Sequence, residues 1–298
     1  MFPPHRMLAA VDFSEPSRTA LQMAARLAAQ CHGELHVVYA EDPLICAAAR
    51  AVHVRPWDDA REQLAAFTGG AAVASQVVIH PHVIEGHPTD VICTIGRREQ
   101  ADVIVVGTHG ASAVDRLVFG TTADAVIHCS ELPVLLVPPT WTPPRANVTD
   151  LAGSGPIVAG VDFTIGSLEA IAAASTLARL LDTPLQLVHA VPQSIASDSW
   201  QGQAVEQLVS RQVDTAHREL DRIVRNVGPG VRVGTKIVHG PVPRALADAV
   251  HAAEGHPLLV LGRRRSRCHG DVPGAIAHRV ALLTQVPTLM YMAPESGD

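Results

Sequence analysis

LAAVDFSEPS, residues 8–17, returns as VAGVDFTIGS, residues 158–167, at an offset of 150. Each copy is a short apolar run that ends in Asp-Phe and a hydroxyl residue, and then opens a helix. Met7–Val11 is strand-like. Ser14 stands where an N-cap belongs, and Pro16 falls in the first turn. Behind them Ala20, Leu21, Ala24, Ala25, Leu27 and Ala28 repeat at helical spacing until Gly33.

Working outward, the rest of the chain repeats in the same order. LHVVYAEDP (35–43) matches LQLVHAVPQ (185–193), again at 150. VIEGHPTDVI (83–92) matches IVHGPVPRAL (237–246), and LPVLLVPP (132–139) matches VPTLMYMAP (286–294), both at 154. ADVIVVGTHG (101–110) matches GHPLLVLGRR (255–264), at 154–155. Five blocks in register imply two copies of one domain. We expect the first at 1–139 and the second at 157–298, joined at 140–156. The joining stretch, rich in Pro, Thr and Gly, reads as a stiff, solvated connector.

Within the first copy, further strands are expected at 35–40, 76–83, 103–107 and 133–137, and helices at 58–68, 88–100 and 120–130. Residues 42–57 show no clear period and read as irregular. In the second copy Val205, Leu208, Val209, Val213, Leu220, Ile223 and Val224 trace one face of a long helix. Strands of continuous Val, Ile and Leu, separated by helices, predict an α/β fold with a parallel sheet covered on both faces.

Composition excludes several classes. The 298 residues carry 23 Lys+Arg against 29 Asp+Glu, a net charge of −6, which is not the basic footprint of a nucleic-acid binder. The first 145 residues hold 10 basic and 15 acidic side chains, and the remainder 13 and 14. Lys236 is the single lysine, so no Walker lysine follows a Gly-rich loop. The N-terminus lacks an apolar signal core, and no run approaches the roughly 18–20 apolar residues of a membrane span. Five cysteines without a C-x-x-C pair argue against a disulfide framework or structural zinc. A cytoplasmic protein with reduced thiols and no membrane partner is expected. His80 and His82 share a strand face, with no third metal ligand evident nearby; a solvated face is the simpler reading.

In an open parallel sheet, ligands bind beyond the carboxyl ends of the strands. Strand one ends in Asp12-Phe13-Ser14. Strand four ends in Gly107-Thr108-His109-Gly110, and after nine intervening residues Gly120-Thr121-Thr122 opens a helix. This is G-x2-G-x9-G-[ST]. Glycines let backbone approach a phosphate chain, and a helix starting at Gly120 points free N–H groups at an anion. Thr121 and Thr122 can donate to phosphate oxygens. Asp12 can accept from ribose hydroxyls or hold a divalent ion. The competing reading is a plain loop and helix cap. His109 reads as a loop residue rather than a base that activates water.

The set VDFSEPS, GHP, DVIVVGTHG, G-x2-G-x9-G-[ST] and a closing PVLLV strongly resembles the universal stress protein family, over both halves. The resemblance implies tandem Rossmann-like domains, each a five-stranded parallel sheet of order 3-2-1-4-5. It implies an ATP-binding first half, with ATP as cofactor and magnesium reaching Asp12 through the nucleotide. Ala10, Asp12, Phe13 and Ser14 would line the ribose and phosphate side, and Ala40 would meet the adenine through its backbone. Val106, Gly107, Gly110, Gly120, Thr121 and Thr122 would hold ribose and phosphates. The fifth strand commonly pairs domains in this family, which implies an intrachain pseudo-dimer and a homodimer built on it.

The second copy departs from the pattern. Its candidates are Gly160, Asp162, Phe163, Thr164, Ala190, Gly262, Arg265 and Gly274. Arg265 stands in place of the second glycine, Ala275 replaces the hydroxyl after Gly274, and the interval is eight residues, one short. Either Arg263, Arg264, Arg265 and Arg267 supply side-chain phosphate contacts, or the loop is solvated and the site degenerate. The leading functional expectation is a nucleotide-occupied regulatory protein of the stress response, with at most slow hydrolysis. A partner-binding scaffold is the alternative. A nucleotide-using enzyme of the same fold would show an SGG-type loop after strand one, which VDFSEPS lacks.

Overall fold

The computed structural model describes residues 2–51, 56–109, 118–142, 155–192, 203–263 and 275–292. The first half runs β1 (Arg6–Val11), α1 (Glu15–Gln30), β2 (Glu34–Glu41), α2 (Pro43–Ala51), α3 (Pro56–Ser75), β3 (Ile79–Glu85), α4 (Pro88–Arg98), β4 (Val103–Gly107), α5 (Thr121–Cys129) and β5 (Val134–Val137). The second half runs β6 (Ile157–Val161), α6 (Ile165–Leu180), β7 (Leu185–Val191), α7 (Gln203–Asn226), β8 (Val233–His239), α8 (Val242–His251), β9 (Leu258–Gly262), α9 (Ala275–Thr284) and β10 (Thr288–Tyr291).

The strands of the described residues belong to one ten-stranded sheet of order β3-β2-β1-β4-β5-β10-β9-β6-β7-β8. Each half keeps the expected order 3-2-1-4-5, with parallel neighbours throughout. Only the central pair is antiparallel: Thr288, Leu289 and Met290 of β10 face Leu136, Leu135 and Val134 of β5. The two fifth strands thus fuse the copies about a pseudo-dyad, as the intrachain pseudo-dimer requires.

Period-two alternation sends successive side chains to opposite faces. Met7, Ala9 and Val11 of β1 enter a core under α1, α3, α6 and α7. Leu8 enters a second core under α4, α5, α8 and α9. Both cores run across the seam without interruption. Trp141, 7% exposed, joins the first core, and Thr140 Oγ1 donates to the Gln285 carbonyl at 3.3 Å. The start of the connector is therefore docked rather than solvated.

Residues 42–57, read as irregular, contain α2. The run AAARA favours helix intrinsically, and Asp42 Oδ1 accepts from the Leu44 N–H at 2.8 Å. Cys46 is its one buried residue, so no apolar face marks it in the sequence. α3 also continues through Gly69 and Gly70, past the stop expected at 68. Of the long-helix face in the second half, Leu220 and Ile223 of α7 are buried.

Candidate functional site

The loop after β1 is built by its own residues. Ser14 Oγ caps α1 by accepting from the Ser17 N–H at 3.3 Å. Asp12 Oδ1 accepts from the Ser14 N–H at 3.1 Å and from the Ser14 hydroxyl. The Asp12 N–H donates to Ser17 Oγ at 3.3 Å. This closed set forces Phe13 to φ +62°, in the left-handed region. Its ring is held by Tyr39 at 4.4 Å and Phe67 at 5.5 Å between centroids, with the Arg18 guanidinium 4.1 Å above Phe67. Asp12 is thereby presented, exposed, at the carboxyl edge of the sheet.

β4 and α5 arrive at the same edge. A Cβ on Gly107 would stand 3.2 Å from the Pro16 carbonyl oxygen, so the end of β4 touches the first turn of α1. The Gly120 N–H donates to the Thr108 carbonyl at 2.8 Å, which pins the start of α5 to the end of β4. No side chain caps that helix start. Thr121 is exposed and Thr122 half-buried on its first turn. Val11 pairs with Tyr39, so Ala40 is level with Asp12 on the neighbouring strand. The structure therefore gathers Ala10, Asp12, Phe13, Ser14, Ala40, Val106, Gly107, Gly120, Thr121 and Thr122 at one edge. Val106 is buried, so its backbone alone can face a ligand. Gly110 lies outside the described residues. Backbone N–H groups, two hydroxyls and one carboxylate suit a phosphorylated, ribose-bearing ligand.

His109 lies on the seam side of this edge. Its Nδ1 lies 2.8 Å from Thr108 Oγ1, and the ring lines a cavity at the seam with Phe119, Leu136 and Val286. Its reading as a loop residue agrees with that placement.

The second half rebuilds the same loop. Asp162 Oδ1 accepts from the Thr164 N–H at 3.0 Å, Thr164 caps α6, and Phe163 sits at φ +61°. Phe163 packs on His189 at 4.6 Å rather than on a tyrosine. Gly160 serves packing, since a Cβ there would come within 2.6 Å of Leu261 Cδ2. A Cβ on Gly262 would meet the Gly166 carbonyl oxygen at 2.6 Å. Ala190 is buried at the end of β7. Arg264, Arg265, Arg267 and Gly274 lie outside the described residues.

Arg263 corrects the expectation of a phosphate-binding or solvated arginine. It is 5% exposed, and its guanidinium donates to the carbonyls of Ile127, Ser130 at 2.6 Å and Leu132 at 3.4 Å. These carbonyls belong to the C-terminus of α5 and the turn after it, in the other half. A helix C-terminus attracts a cation, and the planar fork satisfies several carbonyls at once.

Two features escape the sequence reading. The sulfurs of Cys93, on α4, and Cys129, the exposed last residue of α5, are 2.6 Å apart, both free thiols. The Cys93 hydrogen bond lowers the Cys129 thiol to about 7, while Cys93 is pushed up. The second feature surrounds His80 and His82. The register of β2 and β3 sets His36 opposite His80, so further donors do stand beside them, contrary to the expectation. Burial, and then the neighbouring His80, push the His36 ring below the usual histidine range.

With this geometry in hand, similarity to known proteins defines the class. The model of the universal stress protein family matches residues 4–138 and again 154–291. The chain belongs to that family, in tandem form. It is 38% identical over 61 residues to a universal stress protein of Methanocaldococcus jannaschii; that stretch is 20% of this chain and 36% of the relative, so the match spans about a third of that protein. Universal stress protein A homolog 1 of Coxiella burnetii is 27% identical over 139 residues, which is 44% of this chain and 94% of the relative. A crystal structure of a universal stress protein from Archaeoglobus fulgidus superimposes with TM-score 0.62 at 17% identity, covering 98% of this chain and 97% of that one. A functionally unknown protein from Pseudomonas aeruginosa gives TM-score 0.65 at 15% identity, covering 97% and 92%. Two-domain likeness over the full length supports the fold alone.

Proposed function

We propose that the first half of this universal stress protein binds ATP, with magnesium carried on the phosphates beside Asp12, and that occupancy is its regulatory signal in a stress response. One observation carries the reading: the uncapped start of α5 and the Asp12–Ser14 loop share the carboxyl edge of the sheet, pinned together through Gly107. Those residues fit the group, because N–H groups, Thr121, Thr122 and Asp12 are the donors and acceptors that phosphates and ribose need. Turnover is slow at most: His109 is bonded to Thr108 and faces the seam cavity. The second half binds nucleotide more weakly. A second copy of the chain is the proposed partner, with exposed Leu44 and Ile45 on α2 as apolar surface for it.

The test uses the full chain. Mass spectrometry of protein purified under native conditions should release ATP, and calorimetry should then fit one strong site. Asp12→Ala should weaken that site at least tenfold, and Asp162→Ala should leave it unchanged. A chain that carries no nucleotide and gives no heat with MgATP would return weight to the scaffold reading. Sedimentation showing a 31.5 kDa species at all concentrations would remove the second copy.

A further inference from the structure

At the opposite, amino-terminal end of the sheet, four strand residues of the first half converge. Glu34 and His36 are two apart on β2; His80 and His82 are two apart on β3; the register sets His36 against His80. Glu34 Oε2 lies 3.5 Å from His80 Nε2, and Glu34 Oε1 lies 3.8 Å from His36 Nε2. One donor atom from each of the three falls within 4.8 Å of the others. Donors on a tetrahedral zinc, each about 2.0–2.1 Å from the ion, are roughly 3.3–3.4 Å apart. Small side-chain shifts close the set around one ion.

An independent observation marks the same place. His36 is 7% exposed, and its Nε2 is buried without a hydrogen-bond partner, facing Glu34. A buried imidazole nitrogen left so is costly unless something occupies it. The other ring nitrogen, Nδ1, lies 3.0 Å from His82 Nε2. In the tautomer whose Nδ1–H donates to His82, Nε2 presents its lone pair to a metal, the arrangement usual for ligating histidines; Arg98 Nη2, 3.4 Å from His82 Nδ1, then pairs with Glu99 alone. Arg6 Nε donates to Glu34 Oε1 at 2.7 Å and fixes the carboxylate, with Oε2 turned to His80.

We propose that Glu34, His36 and His80 form a binding site for a single divalent transition metal of the zinc class, with His82 as the positioning residue for His36. Charge narrows the choice of ion. Arg6 balances Glu34, and Arg98 pairs with Glu99 at 2.8 Å beside His82. Affinity then comes from imidazole nitrogen, which suits zinc, nickel, cobalt and copper over magnesium and calcium. The second half supplies an internal contrast. Its strands set Gln186 against Gly234 and Val188 against Lys236, a pair of positions without imidazole.

The experiment titrates zinc chloride, and separately cobalt chloride, into metal-free full-length chain without nucleotide. One equivalent should bind, with cobalt giving visible absorption of a low-coordinate site. His80→Ala and Glu34→Gln, both at partly exposed positions that leave the core intact, should each weaken binding more than tenfold. His82→Ala should weaken it by roughly 10–100-fold. His217→Ala, at an exposed position of α7, should change nothing. The proposal is overturned by zinc affinity that survives both His80→Ala and Glu34→Gln. It is equally overturned by binding spread over several weak sites, or by magnesium binding as tightly as zinc. Asp12→Ala is the arm that separates this site from the nucleotide site, and it should leave the zinc titration unaltered.

Discussion

Single residues in this chain are constrained by what touches them, and the constraints differ in kind. Gly107 and Gly262 sit at matching strand ends, yet their neighbours differ. An added methyl would be 3.2 Å from backbone oxygen at Gly107 and 2.6 Å at Gly262. Overpacking against backbone costs about 1–3 kcal/mol. Urea unfolding should therefore show Gly262→Ala more destabilised than Gly107→Ala. The thiols make a second case. Cys129 is exposed with its thiol lowered to about 7, whereas burial pushes Cys31 up to about 12. The thiolate is the nucleophile, so a lowered value means more reactive form at neutral pH. Alkylation of Cys129, read by peptide mapping, should rise through pH 7 and level off above it, with Cys31 unlabelled throughout. Cys93→Ala removes the hydrogen bond that lowers it, so the midpoint should move up towards the ordinary value of about 8.5.

At the scale of elements, the two capping loops permit a clean comparison. Ser14 caps α1 and Thr164 caps α6 with the same bonds. Loss of a cap costs about 1 kcal/mol. Thr164→Ala should show that loss in urea with ATP affinity unchanged, whereas Ser14→Ala should lose stability and ATP affinity together. These loops were legible in the sequence because their bonds close within five residues. α2 was not, because it buries only Cys46 and so carries no periodic signal. The third donor beside His80 was hidden for a different reason. His36 and His80 meet only through the register of two parallel strands, which local spacing does not encode. Arg263 was misread on the same ground: its carbonyl partners lie more than a hundred residues away, in the other copy.

For the whole molecule, the seam decides how the halves behave. Continuous cores on both faces, the β5–β10 pair and Arg263 all cross it. Hydrogen bonds to charged groups are worth roughly 1.5–3 kcal/mol, and Arg263 makes them with carbonyls that are otherwise buried. Arg263→Ala should lower unfolding stability by about 2–3 kcal/mol. Its loss should also separate the unfolding of the halves, seen as non-coincident transitions by fluorescence and circular dichroism.

The β5–β10 pairing has an evolutionary corollary. In a dimer of identical subunits, every substitution appears twice, so neither site can change without the other. Once both copies lie on one chain, that identity is released: Gly110 and Arg265, Thr121 and Ala275 are inherited separately. The antiparallel pair holds the old symmetry of the backbone, while the side chains on either side of it are free to diverge. A protein assembled this way always carries one copy of the altered motif for each copy of the full one, at a ratio no change in expression can disturb.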